Sequence, residues 1–479
     1  MRPPVVARYV GLALLLNAIF MCLSAAVSFI YRDAAFIPLL LSAVTTFMVG
    51  IFPFIFVPAE IEISTREGYL IVVLGWCASC LFGMLPYILY GCGFSVSNAW
   101  FESVSGYTTT GASILTNIEA LPHGLLFWRS ATHWIGGVGV VAFTLLVLPS
   151  VGSAKMRLSR TQVSVKHEEA NYSTQKIVRI ILSVYVGLTV TLAALLWIAG
   201  MSLFDAVNHA FSTVATGGFS TRNASIMYYN SPLIEGILML FMVISSINFG
   251  LLYVAIVKKF TPLLTSPVVR YFIGSLAIGI LLVTVSLISS GQHTSWLRAF
   301  REAAFQMTSI ASTTGFAVGS NAAWPPFAVM LSFFFMLQCG CAGSTSGGIK
   351  ADRVLIFYKA FVAHIRKLLH PNAIVSVRLR GISMDENVVS SASLFISLYM
   401  LIALIVALLL LLTGLDLTTG ISAAIASLSN VGPGYGEVYS LGSYSGFSPF
   451  AKVVCTIAML VGRLEIYGVL MFFYYRYWR

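Results

Sequence analysis

Thr108-Thr109-Thr110-Gly111-Ala112 is a short polar segment that lies between two apolar runs of membrane length. Three further glycine-bearing segments stand between apolar runs in the same way: Ala215-Thr216-Gly217-Gly218-Phe219, Ser312-Thr313-Thr314-Gly315-Phe316 and Asn430-Val431-Gly432-Pro433-Gly434. Their central glycines, Gly111, Gly217, Gly315 and Gly432, lie 106, 98 and 117 residues apart. A repeat length of about 100 residues with a constant hydropathy pattern indicates internal duplication.

Each segment is predicted to supply backbone carbonyls to one narrow ring. Such a ring can replace the hydration shell of a monovalent cation, so the pattern is typical of a cation pore. Glycine gives the φ freedom that turns successive carbonyls inward, although turn and helix-packing glycines are also common in membrane proteins. The threonine hydroxyls either add ion ligands or satisfy nearby backbone groups. The predicted ring residues are Thr109, Thr110, Gly111, Ala215, Thr216, Gly217, Thr313, Thr314, Gly315, Asn430, Val431 and Gly432.

The composition is that of a polytopic membrane protein. Hydrophobic residues make up 58% of the 479 residues and charged residues 9%, with a mean hydropathy of +0.90; soluble proteins carry about 25% charged residues. The length allows about ten spanning helices of ~20 residues and leaves no long soluble domain. The seven cysteines form no disulfide framework. Because the chain lacks His-Glu-x-x-His and paired intramembrane aspartates, the motifs argue against an enzyme.

The apolar runs pair around the four polar segments after an N-terminal hairpin. We therefore predict an all-α polytopic membrane protein with two N-terminal helices and four pseudo-symmetric repeats of helix, re-entrant pore loop and helix around a central pore. The predicted units are residues 1–58 for the hairpin and 59–150, 151–260, 261–370 and 371–479 for pore repeats 1 to 4. The predicted inner helices, which follow the polar segments, are Gly124–Pro149, Pro232–Val257, Pro325–Leu369 and Pro449–Tyr475.

The stretch before each polar segment is too short to cross a bilayer. The four stretches are predicted half-length helices, Ala99–Tyr107, Phe204–Val214, Ala299–Ala311 and Thr418–Ser429. Irregular backbone at membrane depth is tolerated only where it lines a polar cavity or is buried in protein. The C-terminal end of each half helix carries partial negative charge, which favours a cation at the centre.

The basic residues predict the orientation in the membrane. With the N-terminus inside, 21 of the 28 Lys and Arg residues fall on the inner side and the pore loops face outward. The seven others are Arg32, Arg129, Arg222, Arg298, Arg301, Lys452 and Arg463. This bias accounts for the net charge of +11 without a nucleic-acid partner, and makes the lipid bilayer the expected surroundings. The inner basic runs are interpreted as topology determinants, which is compatible with a docking surface for a cytosolic protein.

Two further features of the apolar runs are predicted to lie inside the protein, away from lipid. Gly340–Gly348 interrupts the longest apolar run with Gly, Ser and Thr, so it is predicted to be a break inside the protein. It does not match a phosphate-binding loop, because Ile349 separates Gly348 from Lys350. Arg463 lies about midway in a predicted inner helix and must face a polar interior. The alternatives are a mere kink for the loop and a structural salt bridge for Arg463.

Six strings of residues carry a resemblance to a known family. They are Ser105–Ala112, Phe127-Trp128-Arg129 with Trp134-Ile135-Gly136-Gly137, Ala215–Phe219, Ser312–Phe316, Gly343–Lys350 and Ser429–Gly434. In this order and hydropathy context the chain resembles the Trk/Ktr/HKT superfamily of potassium transporters, and within it the TrkH/TrkG-type membrane subunits. The resemblance covers essentially the whole length, including the N-terminal hairpin.

The resemblance implies a function that spacing alone does not give. It implies potassium uptake across a bacterial cytoplasmic membrane, with both termini cytoplasmic. In relatives, one glycine per repeat defines the filter and serine at the first accompanies sodium permeation, so four glycines favour K⁺. A Na⁺-permeable or cation-coupled transporter is the alternative. The implied gate residues are Gly340, Gly343, Ser344, Thr345, Ser346, Gly347, Gly348, Lys350 and Arg463.

The resemblance also implies partners. The chain is expected to form a homodimer and to bind a separate, TrkA-like cytosolic ring that responds to NAD or ATP. No cofactor is expected in this chain, and K⁺ enters as the transported ion. On the outer side, carboxylates near the pore loops could concentrate cations at the mouth, although solvated or helix-capping roles are the expectation for Glu102, Asp205, Glu302, Asp416 and Glu437.

Overall fold

The computed structural model describes residues 2–58, 64–147, 174–257, 260–373, 375–379, 382–466 and 468–470. Within these ranges it has 18 α-helices. They are α1 (Pro3–Tyr31), α2 (Phe36–Phe56), α3 (Thr65–Gly83), α4 (Leu85–Tyr90), α5 (Val96–Tyr107), α6 (His123–Val147), α7 (Thr174–Ile198), α8 (Leu203–Val214), α9 (Pro232–Ser245), α10 (Phe249–Val257), α11 (Thr261–Thr265), α12 (Pro267–Ser289), α13 (Trp296–Ala311), α14 (Pro326–Gln338), α15 (Ala351–Leu369), α16 (Glu386–Leu411), α17 (Leu417–Leu428) and α18 (Pro449–Arg463).

Extended structure in the described residues is confined to two short strands between α15 and α16. Strand β1 (Arg378–Leu379) pairs antiparallel with β2 (Ile382–Ser383), with Arg378 opposite Ser383. Short 3₁₀ helices occupy Ser225–Tyr229, Gly436–Val438 and Tyr444–Gly446. The predicted all-α class is confirmed.

The protein is a multi-pass membrane protein. Six helical stretches in the described ranges are long and apolar enough to cross a membrane: Pro3–Tyr31, Phe36–Phe56, Arg66–Tyr90, Val178–Ile198, Pro267–Ser289 and Glu386–Leu411. Large apolar side chains on these helices lie on the outside of the protein, as a lipid environment permits; Ile30 and Ile198 are 74% and 78% exposed. The first two helices cross closely at Gly11 and Gly50, where an added Cβ would press on the opposite backbone.

Four half-length helices lie where the sequence predicts them. Helices α5, α8, α13 and α17 have 12, 12, 16 and 12 residues, too few to span the hydrocarbon core. Side-chain oxygens of Ser95, Ser202 and Asp416 accept hydrogen bonds from the first turns of α5, α8 and α17. These caps satisfy backbone donors that a helix start leaves without partners. The first residue of each half helix is exposed and the last is buried, so each runs from the surface into the interior of the protein.

Two of the predicted inner helices are wrong as continuous helices. Pro232–Val257 is divided into α9 and α10, which bend by 107° at a break of three residues. The Asn248 side chain caps the new helix by accepting from the Leu251 amide at 3.1 Å. The last inner helix ends at Arg463, followed by positive φ at Glu465 and Ile466. Arg463 is therefore in the last turn of a helix, where partial negative charge favours it.

Part of the predicted inner surface falls outside the described residues. This holds for Lys155, Arg157, Arg160, Lys166, Lys258, Lys259, Arg380, Arg476 and Arg479.

Candidate functional site

The four polar segments begin with the same backbone turn. Each half helix ends in a residue of left-handed conformation: Thr109, Thr216, Thr313 and Asn430, with φ between 51° and 61°. The next amide then bonds back to the carbonyl five residues earlier, as from Thr110 to Ser105 and from Thr314 to Ser309, both 2.9 Å. This is a Schellman-type ending. Left-handed threonine is strained because its side chain is β-branched, and such strain clusters at functional sites.

The turn that the four segments share shows which residue of the second segment is equivalent to Gly111, and it is not the residue that the sequence predicted. The residue two after each left-handed residue is a glycine with positive φ: Gly111 (78°), Gly218 (85°), Gly315 (80°) and Gly432 (88°). Gly217 instead occupies the position of Thr110 and Thr314, since its amide bonds to Ser212 at 2.8 Å. The prediction that Gly217 is the equivalent of Gly111 is therefore wrong by one residue. Two adjacent glycines left the alignment ambiguous in the sequence.

The segments contact one another in cyclic order. A Cβ added to Gly111 would overlap the carbonyl oxygen of Gly217, and one on Gly218 would overlap that of Thr314. A Cβ on Gly315 would overlap the carbonyl of Val431, and one on Gly432 that of Thr110, which closes the circle. At each junction a carbonyl lies in the space that a side chain would fill. Glycine is needed at these four positions for both space and φ.

One side of this ring opens into a vestibule of about 350 Å³. The glycine ends of the segments line it, through Gly111, Gly218, Gly315 and Pro433. Glu437 is an exposed carboxylate on its wall. The vestibule is an open cavity, whereas at the ring the backbone of neighbouring segments is in close contact.

The sequence predicts a solvated or helix-capping role for Glu102, but in the structure Glu102 belongs to a buried ion pair. It is fully buried, and its Oε1 lies 2.7 Å from Nη2 of Arg129, itself 1% exposed. Glu102 also accepts from the Ser113 hydroxyl at 3.0 Å and the Ile114 amide at 3.2 Å. The Arg129 guanidinium packs over the Phe219 ring at 4.0 Å. The ion pair thus ties α5 and α6 to the chain that leaves the first and second segments.

Three other carboxylates that the sequence places on the outer side also have side-chain or backbone partners. Asp205 pairs with Arg222 at 2.8 Å and accepts from Thr221. Burial by itself raises the pKa of Asp205, but hydrogen bonds from Thr221 and Arg222 outweigh it, so the pKa lies below its ordinary value. Glu302 contacts His293 and Trp324, and Asp416 caps α17.

The predicted break in the third inner helix is confirmed. Helix α14 ends at Gln338 and α15 starts at Ala351, and the loop between them is held under the ring. The Thr345 hydroxyl donates to the carbonyl of Val214 at the end of α8, 3.0 Å away. The Gly347 amide donates to the Thr313 hydroxyl at 3.1 Å. The loop therefore contacts the helix ends of the segments, on the side opposite the vestibule.

The bend between α9 and α10 receives the start of the loop. The Cys341 amide donates to the Ser246 carbonyl at 2.8 Å, and the Phe249 amide donates to that of Gly343 at 3.1 Å. The Asn248 side chain donates to the Ala342 carbonyl at 2.8 Å. The loop and the bend thus provide hydrogen-bond partners for backbone groups of each other that have no partner within a helix. This explains how both persist at membrane depth.

Arg463 and Lys350 place two buried positive charges at this loop. Arg463 Nη1 donates to the carbonyl of Thr345 at 2.7 Å, and Lys350 Nζ donates to that of Ser346. Arg463 forms no ion pair within the described ranges, so the salt-bridge alternative finds no support there. Its Nε and Nη2 have no partner in those ranges and remain buried. The predicted gate residues therefore form one contact cluster with the helix ends above it.

Sequence reasoning overlooked one residue beside the ring. His133 on α6 is fully buried, and its imidazole fills the space where a Cβ on Gly217 would lie. A signal was available, because Arg129 and His133 are ionisable residues four apart in the interior of a largely apolar helix. Ionisable residues within a membrane segment face the protein interior and are functional candidates.

Comparisons with known proteins agree with this architecture. The TrkH family, described as "Cation transport protein", matches residues 41–478. The chain is 35% identical over 481 residues to the Trk system potassium uptake protein TrkH of Salmonella typhimurium, covering 99% of both chains. It is 34% identical over 427 residues to TrkG of Escherichia coli, covering 88% of this chain and 87% of TrkG. The crystal structure of the potassium transporter TrkH from Vibrio parahaemolyticus matches with a TM-score of 0.91 and 33% identity, over 100% of both chains.

Proposed function

This chain belongs to the TrkH family of cation transport proteins, which are transporters and not enzymes, and from that membership we propose that it is the membrane subunit of a potassium uptake system. In this proposal K⁺ crosses the ring of the four polar segments from the outer vestibule to the inner side. The four-repeat division and its boundaries at residues 58, 150, 260 and 370 belong to the same proposal.

The observation that carries the proposal is the closed circle of glycine–carbonyl contacts. At each junction a carbonyl oxygen of one segment lies against the glycine of its neighbour, and all four segments contribute one. The carbonyl oxygens replace water around a monovalent cation. The Thr109 hydroxyl is buried with no partner among the described residues, so it is available as a further ligand. With the register corrected, Gly111, Gly218, Gly315 and Gly432 are the proposed filter glycines.

The loop from Gly340 to Gly348 is the proposed gate. Its hydrogen bonds to Val214 and Thr313 support a position across the pathway directly under the ring. Arg463 holds the loop at Thr345 and adds a positive charge that repels cations. Opening requires the loop to leave both contacts.

The proposal also covers the oligomeric state, location, orientation and partner of the chain. The chain forms a homodimer in a bacterial inner membrane, has cytoplasmic termini, and binds a separate TrkA-like ring that responds to NAD or ATP. The Trk system names of the relatives support an assembly with partner proteins. The excess of basic residues on the predicted inner side supports the orientation.

The test is cation flux through the purified chain in liposomes, comparing K⁺, Rb⁺ and Na⁺. Gly111→Ser probes the filter, and Arg463→Ala supplies a variant expected to conduct without an activating partner. K⁺ and Rb⁺ flux well above Na⁺ flux, with the preference relaxed by Gly111→Ser, is the expected result. Equal Na⁺ flux would favour the Na⁺-permeable alternative. Dependence of K⁺ flux on a proton or sodium gradient would favour coupled transport, and no flux in either chain would overturn the proposal.

A further inference from the structure

We number the four polar segments 1 to 4 in chain order. Segment 2 (Ala215–Phe219) lacks the side-chain hydroxyls that form a hydrogen-bonded pair in segments 1 and 3. In segment 1, Thr108 and Thr110 join their hydroxyls at 2.8 Å, and in segment 3 Ser312 and Thr314 do so at 2.7 Å. The equivalent residues of segment 2 are Ala215 and Gly217, which have no hydroxyl. The second segment is therefore missing the hydrogen-bonded pair behind its carbonyls.

The imidazole of His133 occupies that place. A Cβ on Gly217 would overlap the ring, so no larger residue fits there while His133 is present. The ring is held on two sides: its Nδ1 lies 2.9 Å from the Ser212 hydroxyl on α8, and it stacks on Phe219 at 4.1 Å with 17° between the planes. One turn further along α6, Gly137 packs against Ala215, where an added Cβ would lie 3.1 Å from the Ala215 Cβ.

The four segments thus share one backbone conformation, but the side chains packed against that backbone are not the same in each segment. Left-handed φ values, glycine φ values and return hydrogen bonds match across the segments. A strained backbone conformation persists only when the residues packed against it hold it in place. In segment 2 the described contacts behind Gly217 come from another helix, not from the segment itself.

We propose that His133 is a positioning residue for ion selectivity, which fixes the Gly217 carbonyl by doing from α6 what the hydroxyl pairs do within segments 1 and 3. This inference rests on the proposed function, because it assigns the residue that sets the geometry of one quarter of the ring. The Gly217 carbonyl matters directly, since it fills the space beside Gly111 in the neighbouring segment. A displacement of His133 would therefore change the backbone packing of both segment 2 and segment 1.

The test exchanges side chains between the two arrangements. The variants are His133→Ala, His133→Gln, Gly217→Thr, and a combined variant with His133→Ala, Ala215→Ser and Gly217→Thr that copies segment 3. The readout is the ratio of Rb⁺ to Na⁺ flux in liposomes, with and without Arg463→Ala. Elution as a single species in detergent is required of every chain whose flux ratio is compared. His123→Ala is the matched control, because it lies on the same helix but is exposed and stacked on Tyr31, away from the ring.

We expect His133→Ala to lower the Rb⁺/Na⁺ ratio at least about fivefold, which corresponds to ~1 kcal/mol of lost discrimination. His133→Gln retains a hydrogen-bonding group toward Ser212 and is expected to keep more of the ratio than His133→Ala. Gly217→Thr alone is expected to abolish folding or flux through its clash with His133. The combined variant is expected to recover flux and to approach the wild-type ratio.

A purely structural role for His133 would change yield and stability but leave the flux ratio of the folded chains unchanged. A wild-type Rb⁺/Na⁺ ratio in folded His133→Ala, at any level of flux, would overturn this inference and leave the proposed function standing. A combined variant no better than Gly217→Thr would overturn it as well. Absence of Rb⁺ flux in the wild-type chain and in Arg463→Ala would overturn the proposed function, and this inference with it.

Discussion

Arg463, in the last turn of α18, donates a hydrogen bond from Nη1 to the main-chain carbonyl of Thr345, 2.7 Å away in the loop beneath the ring. Thr345 in turn donates to the carbonyl at the end of α8. The two bonds connect α18 and α8 through one residue of the loop between α14 and α15. Arg463 is 3% exposed, so its charge acts where water screens little.

Loss of this bond should open the pathway. Arg463→Ala removes a hydrogen bond from a charged group, worth about 1.5–3 kcal/mol, so basal Rb⁺ flux without an activating partner should rise about tenfold or more. Arg463→Lys, which keeps the charge, should give a smaller rise. Arg298→Ala, which changes an exposed arginine on the predicted outer side, is the control. Unchanged basal flux in Arg463→Ala would remove Arg463 from the gate.

Gly218 should behave as a filter glycine. A side chain there would overlap the Thr314 carbonyl, and the new residue would have to adopt a φ of 85°. Gly218→Ser should therefore lower the Rb⁺/Na⁺ flux ratio, as is expected of Gly111→Ser. Gly187→Ser is the matched control, because a Cβ at Gly187 meets nothing within 4 Å. If Gly218→Ser kept the wild-type ratio, the register derived from the backbone would be wrong.

The buried pair of Glu102 and Arg129 should be needed for stability. Glu102→Gln leaves the Arg129 charge buried without its counterion, and breaking such a pair by removing one partner costs about 3–5 kcal/mol. We expect a markedly lower melting temperature in detergent, measured by the loss of the monodisperse peak after heating. The double variant Glu102→Gln with Arg129→Met should recover part of the loss, because no isolated charge remains. Equal melting of Glu102→Gln and wild type would contradict this account.

Glu437 should raise the local cation concentration at the outer mouth. It is an exposed carboxylate on the vestibule wall, while Glu102 and Asp205 are paired with arginines. One charge roughly 8 Å from an ion in water contributes about 0.5 kcal/mol, so Glu437→Gln should raise the KM for Rb⁺ about twofold at low salt.

The effect of Glu437→Gln should fade at high ionic strength, because salt screens exposed charges. Glu386→Gln, on the predicted cytoplasmic side, is the control and should leave the KM unchanged. A salt-independent change in KM would indicate that Glu437 acts through local structure and not through its charge.

The sequence predicted the half helices and the interrupted third inner helix because both are properties of local hydropathy. An apolar stretch of about a dozen residues before a Gly-Thr segment cannot span a bilayer, and α5, α8 and α17 have that length. The bend at Asn248 had no such signal. It is stabilised by hydrogen bonds to the Ala342 and Gly343 carbonyls, nearly a hundred residues later in the chain.

By itself, then, the sequence determined that this is a multi-pass helical membrane protein with four polar segments, because the repeat of apolar runs and glycines is a one-dimensional pattern. The tertiary structure alone decided which glycine of segment 2 belongs to the ring, that Glu102 is buried against Arg129, and that His133 fills the space beside Gly217. The physical reason is that these relationships join residues on different helices. A lone imidazole or carboxylate in an apolar run shows that a partner is needed, but only packing shows which residue it is.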